Sequence, residues 1–226
     1  MGVTSGLPYD LAIFDFDGTL ADSGAVVLKL VNPMARMYGF KCVTDEEVEM
    51  LRGRPNREII KYLGVSPWKI PLIAAHGKKL MAAEIGAITL FPGVPDMLKA
   101  LAAGGVRLAV VSSNSEATIR TVLGPDLAGL IDHYGCGASL FGKAKKFLKV
   151  IKTAGVTPGR VISIGDETRD IDAANALGLA SGAVTWGYAT RQLLVDHTPT
   201  VLLDAVDDIV SRLTAQPEVQ AAAVPA

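Results

Sequence analysis

The sequence predicts an α/β fold in which a doubly wound parallel sheet carries an inserted α-helical domain. Three observations predict it. Short, wholly apolar runs recur along the chain; they alternate with segments of helical spacing; and one long stretch near the N-terminus breaks the alternation.

Residues 1–9 hold Gly and Pro without a period and read as a loose arm. The first strand covers about residues 10–16, and its run Leu11-Ala12-Ile13-Phe14 is continuous, as expected of a strand buried on both faces. After Leu20 the spacing is helical, with no convincing strand until about Gly86. Val26, Val27, Leu30, Met34 and Met37 mark the apolar face of a first helix that Gly39 ends. Thr44 with Glu47 three residues later is the signature of a capping box, opening a short helix through Leu51. Pro55 suits the first turn of a third helix that Gly64 ends, and Ser66-Pro67 opens a fourth. Because this block interrupts the β-α alternation, residues 21–90 read as an inserted helical domain. Ala21–Gly24 and Ala87–Pro92 are then the candidate hinges.

Alternation resumes at Pro92. Helical spacing over about 94–103 ends at Gly104-Gly105, and Val106–Val111 is the next buried strand. A helix over 115–123, a short apolar segment at Leu130–Tyr134 and a helix over about 142–154 follow. Val161–Ile164 is a strand, about 169–177 a helix, Ala180–Thr185 a strand, Thr200–Leu203 an edge strand and Val206–Leu213 a last helix. The core domain is thus 1–20 with 91–214. Residues 215–226, made of Ala, Pro, Gln, Glu and Val, read as a disordered tail.

Composition narrows the function classes. A formal net charge of −1 over 226 residues gives no basic footprint for nucleic acid. The apolar stretches fall short of a membrane span, and Met1–Tyr9 lacks the charged and apolar regions of a signal peptide, so a cytoplasmic protein is expected. Cys42 and Cys136 are far apart and stand at no metal-ligand spacing; free thiols suit a reducing compartment, although the sequence leaves a disulfide open. His76, His133 and His197 share no ligand spacing either.

The chemistry gathers at strand ends. Asp15 and Asp17 follow the first strand, where open α/β sheets bind ligands. Two carboxylates there are costly unless a metal, a cation or hydrogen bonds compensate them. A turn built on Asp17-Gly18 is the simpler account of that pair alone. Ser112-Ser113-Asn114 follows the strand ending at Val111 and offers hydroxyl and backbone donors for an anion, or a plain helix cap. Gly165-Asp166-Glu167-Thr168-Arg169-Asp170 follows the strand ending at Ile164, where acids also suit a helix N-terminus, which accounts for Glu167.

Asp15-Phe16-Asp17-Gly18-Thr19-Leu20 resembles the first motif of the haloacid dehalogenase-like (HAD) hydrolase superfamily, and the later clusters fall in that family's order. The resemblance implies a Rossmann-like core with an α-helical cap over 21–90, similar to phosphoglycolate phosphatases and β-phosphoglucomutases. It implies Asp15 as nucleophile, Asp17 as general acid/base, Ser112 as the second-motif hydroxyl and Lys143 as the third-motif cation. Lys145 competes for that last role, because the Gly142-Lys143 step lacks the Pro that usually follows. Ser113, Asn114 and Thr19 join as substrate-binding groups. Mg²⁺ is the implied cofactor, held by Asp15, the Asp17 carbonyl, Asp166 and Asp170, the last directly or through water. Arg52, Arg54 and Arg57 flank Gly53 and Pro55 in a turn that resembles the cap loop reaching the substrate; a solvated basic turn is the plainer account. Trp186-Gly187-Tyr188 also resembles a recurrent family segment, which packing explains as readily as recognition.

The implied activity is hydrolysis of a small-molecule phosphate monoester through an aspartyl phosphate. A sugar-phosphate mutase and a non-catalytic relative are the alternatives. The sequence is silent on oligomeric state.

Overall fold

The computed structural model describes residues 8–137 and 142–214. The N-terminal arm up to Leu7, Phe141 beside the third motif, and the 215–226 tail lie outside the described residues.

The first strand, β1 (Leu11–Phe14), has every side chain buried, which is why its sequence shows no alternation. A short strand β2 (Ala21–Asp22) leads into helices α1 (Gly24–Tyr38), α2 (Asp45–Arg52), α3 (Asn56–Tyr62) and α4 (Ile70–Ala83), after which β3 (Thr89–Leu90) returns antiparallel to β2. This pair is a departure from the strandless reading of 21–90. The core then continues through α5 (Val94–Ala103), β4 (Arg107–Val110), α6 (Glu116–Ala128), β5 (His133–Tyr134) and α7 (Lys143–Ala154). It closes with β6 (Val161–Gly165), α8 (Thr168–Asn175), β7 (Ala180–Val184), α9 (Arg191–Asp196), β8 (Val201–Leu203) and α10 (Val206–Thr214).

The six-stranded sheet has the order β5-β4-β1-β6-β7-β8 and is parallel throughout. Alternate residues of one strand feed opposite layers. Ala12 and Phe14 join Leu108, Val110, Ile162 and Ile164 under α5, α6 and α10, whereas Leu11 and Ile13 join Ala109 and Val161 under α7 and α8. Both faces are covered, so the fold is doubly wound.

The helical region has its own small core of Val43, Leu51 and Leu63, with Val48, Ile59 and Val65 packed against it. Two of its sequence signals form as read, whereas Pro55 caps α3 from outside its first turn and Ser66-Pro67 opens a 3₁₀ turn ahead of α4. Gly39 closes α1 in the left-handed conformation at φ 72°, and the Thr44–Glu47 capping box is formed in both directions. Among the described residues no helix is long and apolar enough to cross a membrane.

The arrangement positions the site through register. Phe14 pairs with Val110 on one side and with Ile164 on the other. The residues that follow each strand therefore emerge side by side at the carboxyl edge. There the chain crosses from the β4 side of β1 to the β6 side, a topological switch point.

Candidate active site

Beyond β1 the chain turns at once. The Phe16 carbonyl accepts from the backbone N–H groups of Leu20 and Ala21, both at 2.9 Å, and the Phe16 ring is buried as an anchor. Gly18 sits at φ 73°, and a methyl there would come within 2.2 Å of Asp166 Oδ2. The turn holds Asp15 almost wholly buried, with Oδ1 accepting from the Phe16 N–H at 2.8 Å. Lys143 Nζ lies 2.7 Å from Asp15 Oδ2, with Arg169 Nη2 farther away at 3.6 Å, and Lys143 also pairs with Asp170. Burial opposes the charge on Asp15, but the Lys143 and Arg169 cations outweigh it and hold the carboxyl below its usual range. Lys143 is likewise kept charged, its burial offset by Asp15 and Asp170. Lys145 is exposed and takes no such place.

Asp17 accepts from Ser23 Oγ at 2.9 Å and from Asn114 Nδ2 at 2.8 Å, one bond to each carboxylate oxygen. Burial, then the neighbouring Asp15 charge, pushes its pKa up to about 6 despite those two bonds. A carboxyl that titrates there can both give and take a proton near neutral pH.

Past β4, Ser112 is buried and its Oγ accepts from the Asn114 N–H at 3.0 Å, turning the loop. Lys146, one helical turn from Lys143, donates to the carbonyls of Ser112 at 2.7 Å and Gly137 at 2.6 Å. It thereby clamps the serine loop by its backbone carbonyls.

Past β6, the carboxylates of Asp15, Glu167 and Asp170 bring one oxygen each within 4.8 Å of one another. Burial, partly offset by Lys143, pushes the Asp170 carboxyl up to about 6. Such an all-oxygen, partly buried donor set fits a hard divalent cation like Mg²⁺. Asp166 is brought to the same edge but is engaged otherwise: Oδ1 accepts from Thr19 Oγ1 at 2.9 Å and Oδ2 from the Tyr188 N–H at 2.8 Å. Glu167, read from sequence as a helix-capping acid, is both the α8 cap and the third member of the cluster. Gly165 makes room, since a methyl on it would meet the Asp170 carboxyl at 2.3 Å.

The three arginines of the helical region part company. Arg52 spans to the core, donating from Nε to the Tyr188 carbonyl at 3.1 Å and from Nη2 to that of Gly187 at 3.3 Å. Arg54 pairs with Glu58 on the surface of its own region. Arg57 lines a cleft of about 490 Å³ together with Asp15, Ser112, Ser113, Lys143 and Arg169. Asn56 closes one side of it, donating to Glu167 Oε1 at 3.1 Å. A second, largely apolar cavity of about 510 Å³ lies between α1–α3 and the loop after β7. No histidine lines the cleft: His76 meets Tyr38, His133 lies in β5, and His197 meets Asp172 at its margin.

Arg169, Ser23 and Lys146 were given no role by sequence reasoning, and Tyr188 was noted only within a segment that packing could explain. Their sole signal was proximity to a motif, and their contacts are made across the fold.

A model of the family described as haloacid dehalogenase-like hydrolase matches residues 12–184 of this chain. The phosphoglycolate phosphatase of Synechococcus elongatus is 34% identical over 203 residues, covering 89% of this chain and 96% of that protein. Tyrosine-protein kinase PtkA of Mycobacterium tuberculosis is 30% identical over 199 residues, covering 85% of this chain and 67% of that one. Among solved structures, a predicted phosphatase from Clostridium acetobutylicum superposes with a TM-score of 0.77 at 20% identity, covering 90% of this chain and 97% of that one; at this identity the likeness is one of fold.

Proposed function

The chain belongs to the haloacid dehalogenase-like hydrolases, and from that premise we propose that it is a Mg²⁺-dependent phosphatase of small phosphate monoesters, working through a phosphoryl group carried on Asp15. The observation that carries the reading is the buried trio of Asp15, Lys143 and Asp170 beside an Asp17 whose two oxygens are each held. Asp15, kept ionised by Lys143, attacks phosphorus. Asp17 gives its proton to the departing alkoxide oxygen. It then takes one from the water that attacks the aspartyl phosphate, returning Asp15 free. Lys143, the Ser112 hydroxyl and donors from Ser113, Asn114 and Thr19 surround the transferring group, where positioning and electrostatics do most of the work. Asp15, the Asp17 carbonyl, Asp166 and Asp170 are the family-implied metal ligands, and Glu167 joins them on geometry. Bound Mg²⁺ would supply positive charge to the phosphoryl oxygens.

Residues 21–90 act as the cap over a core of 1–20 and 91–214. A carboxylate-bearing phosphate such as phosphoglycolate is the favoured substrate class, supported by the name of the Synechococcus relative and by Arg57 on the cleft wall.

Phosphate release from a panel of small phosphate esters tests this. Turnover should require Mg²⁺, vanish with EDTA and return when Mg²⁺ is restored; metal-independent turnover, or none on any ester, would sink the reading. Arg57→Ala should cut kcat/KM for the carboxylate-bearing ester by roughly 10–100-fold, with little change for p-nitrophenyl phosphate. Equal losses on the two esters would return Arg57 to a structural role.

A further inference from the structure

Tyr188, in the loop between β7 and α9, binds a different part of the site with each of its polar groups. Its N–H donates to Asp166 Oδ2 at 2.8 Å, its carbonyl accepts from Arg52 Nε at 3.1 Å, and its hydroxyl lies 2.6 Å from Ser23 Oγ. The loop after β6, the end of α2 and the turn from β2 into α1 all meet on this one residue.

The direction of the hydroxyl contact follows from counting protons. Whether Asp17 is ionised or carries its proton on Oδ2, Oδ1 only accepts, and Ser23 Oγ, which is wholly buried, gives it its single proton at 2.9 Å. The proton in the 2.6 Å contact therefore belongs to Tyr188. A fixed donor series results, from Tyr188 Oη to Ser23 Oγ to Asp17 Oδ1. Asn114 Nδ2 meets the other oxygen at 2.8 Å, so the Asp17 carboxylate is gripped from two sides. Without the tyrosine, Ser23 Oγ is free to rotate away and one grip is lost.

We propose that Tyr188 is a positioning residue for Asp17, setting through Ser23 where the general acid stands relative to the leaving oxygen. Arg52 ties that setting to the seat of the helical region. The proposal rests on the phosphatase reading above and adds a residue to it.

The test is Tyr188→Phe, which keeps the ring and the backbone bonds and removes only the hydroxyl. An alkyl phosphate needs its leaving oxygen protonated, whereas p-nitrophenolate departs as a stable anion. Since kcat/KM reports the first phosphoryl transfer, its loss should be about tenfold on an alkyl phosphate, a fraction of what a general acid supplies. On p-nitrophenyl phosphate it should be less than about twofold, with thermal stability maintained. Ser23→Ala should show the same selectivity, and the double variant should be no worse than either single one. Equal losses on both esters, or no loss, or additive losses in the double variant, would overturn the proposal. Asp17→Asn separates the two levels. If that variant loses alkyl-phosphate turnover while Tyr188→Phe does not, the positioning role alone fails; if it is as active as the parent, the phosphatase reading fails and takes this proposal with it.

Discussion

A methyl group on Gly187 would lie 2.2 Å from Asp166 Cβ and 2.5 Å from both the Gly18 carbonyl oxygen and Asp166 Oδ2, a carboxylate already held by Thr19 and Tyr188. Gly187→Ala should therefore force backbone apart at the centre of the site and cost about 1–3 kcal/mol, typical of overpacking. Calorimetry should find a lowered Tm together with lost turnover, while Gly159→Ala, where the added methyl meets nothing within 4 Å, should change neither. An unshifted Tm for Gly187→Ala would contradict this packing. Gly187 also shows which residues the sequence made legible. Asp15, Asp17, Ser112, Lys143 and Asp170 were singled out through the resemblance of their motifs to the family's, each motif standing after a strand or at the start of a helix. The places of Ser23, Glu167, Lys146 and Tyr188 depend on partners 22 to 165 positions away or on loop geometry, and residue type alone carries none of that. Glu167 and Asp166 illustrate it: adjacent acids look alike in a sequence, yet one caps a helix beside Asp15 and the other is held by Thr19 and Tyr188.

Among elements, α2 shows how a short helix of the inserted region is fixed. Glu47 receives Lys41 Nζ and the Tyr62 hydroxyl, each at 2.5 Å, besides closing the capping box on Thr44. Lys41 first, then Tyr62 and the Thr44 N–H, pull its carboxyl from the usual 4.5 down to about 2. A depressed carboxyl stabilises the fold above its unfolded pKa, and that contribution is lost as pH falls through the folded value. The window here runs from about 4.5 down to about 2. Side-chain NMR should place the Glu47 titration near the lower end, and a midpoint like that of a free glutamate would contradict the cluster. The helices of this region were readable because their caps are local: Gly39, Thr44 with Glu47, and Pro55. What escaped were β2 and β3, two residues each, and the six-residue α9. Segments so short span too few residues to show a period. In α6 the expected helix over 115–123 does end where local rules would stop it: Gly124 is non-helical at φ 72° and ψ 166°, and a second short helical segment runs from Pro125 to Ala128.

Across the whole molecule, one topological fact arranges the chemistry. β1 lies between β4 and β6, so the residues after those three strands converge although they are far apart in sequence. The alternation of apolar runs and helical segments was enough to predict a doubly wound sheet; the strand order, and hence which strand ends share an edge, depends on pairing that no local pattern encodes. The helical region meets this edge through Arg52, which donates to the Gly187 and Tyr188 carbonyls and accepts from the Thr190 N–H, and through Asn56 with Glu167. Everything converges on Asp15, buried, charged and paired with Lys143. The most direct test is to quench turnover of a phosphoryl-labelled ester in acid with Mg²⁺ present, and to map the label by peptide. The phosphoryl label should sit on the peptide containing Asp15 and be absent from Asp15→Asn, whose phosphate release should fall by several orders of magnitude. Sustained turnover with no label on that peptide, or with the label on Ser112, would contradict the account.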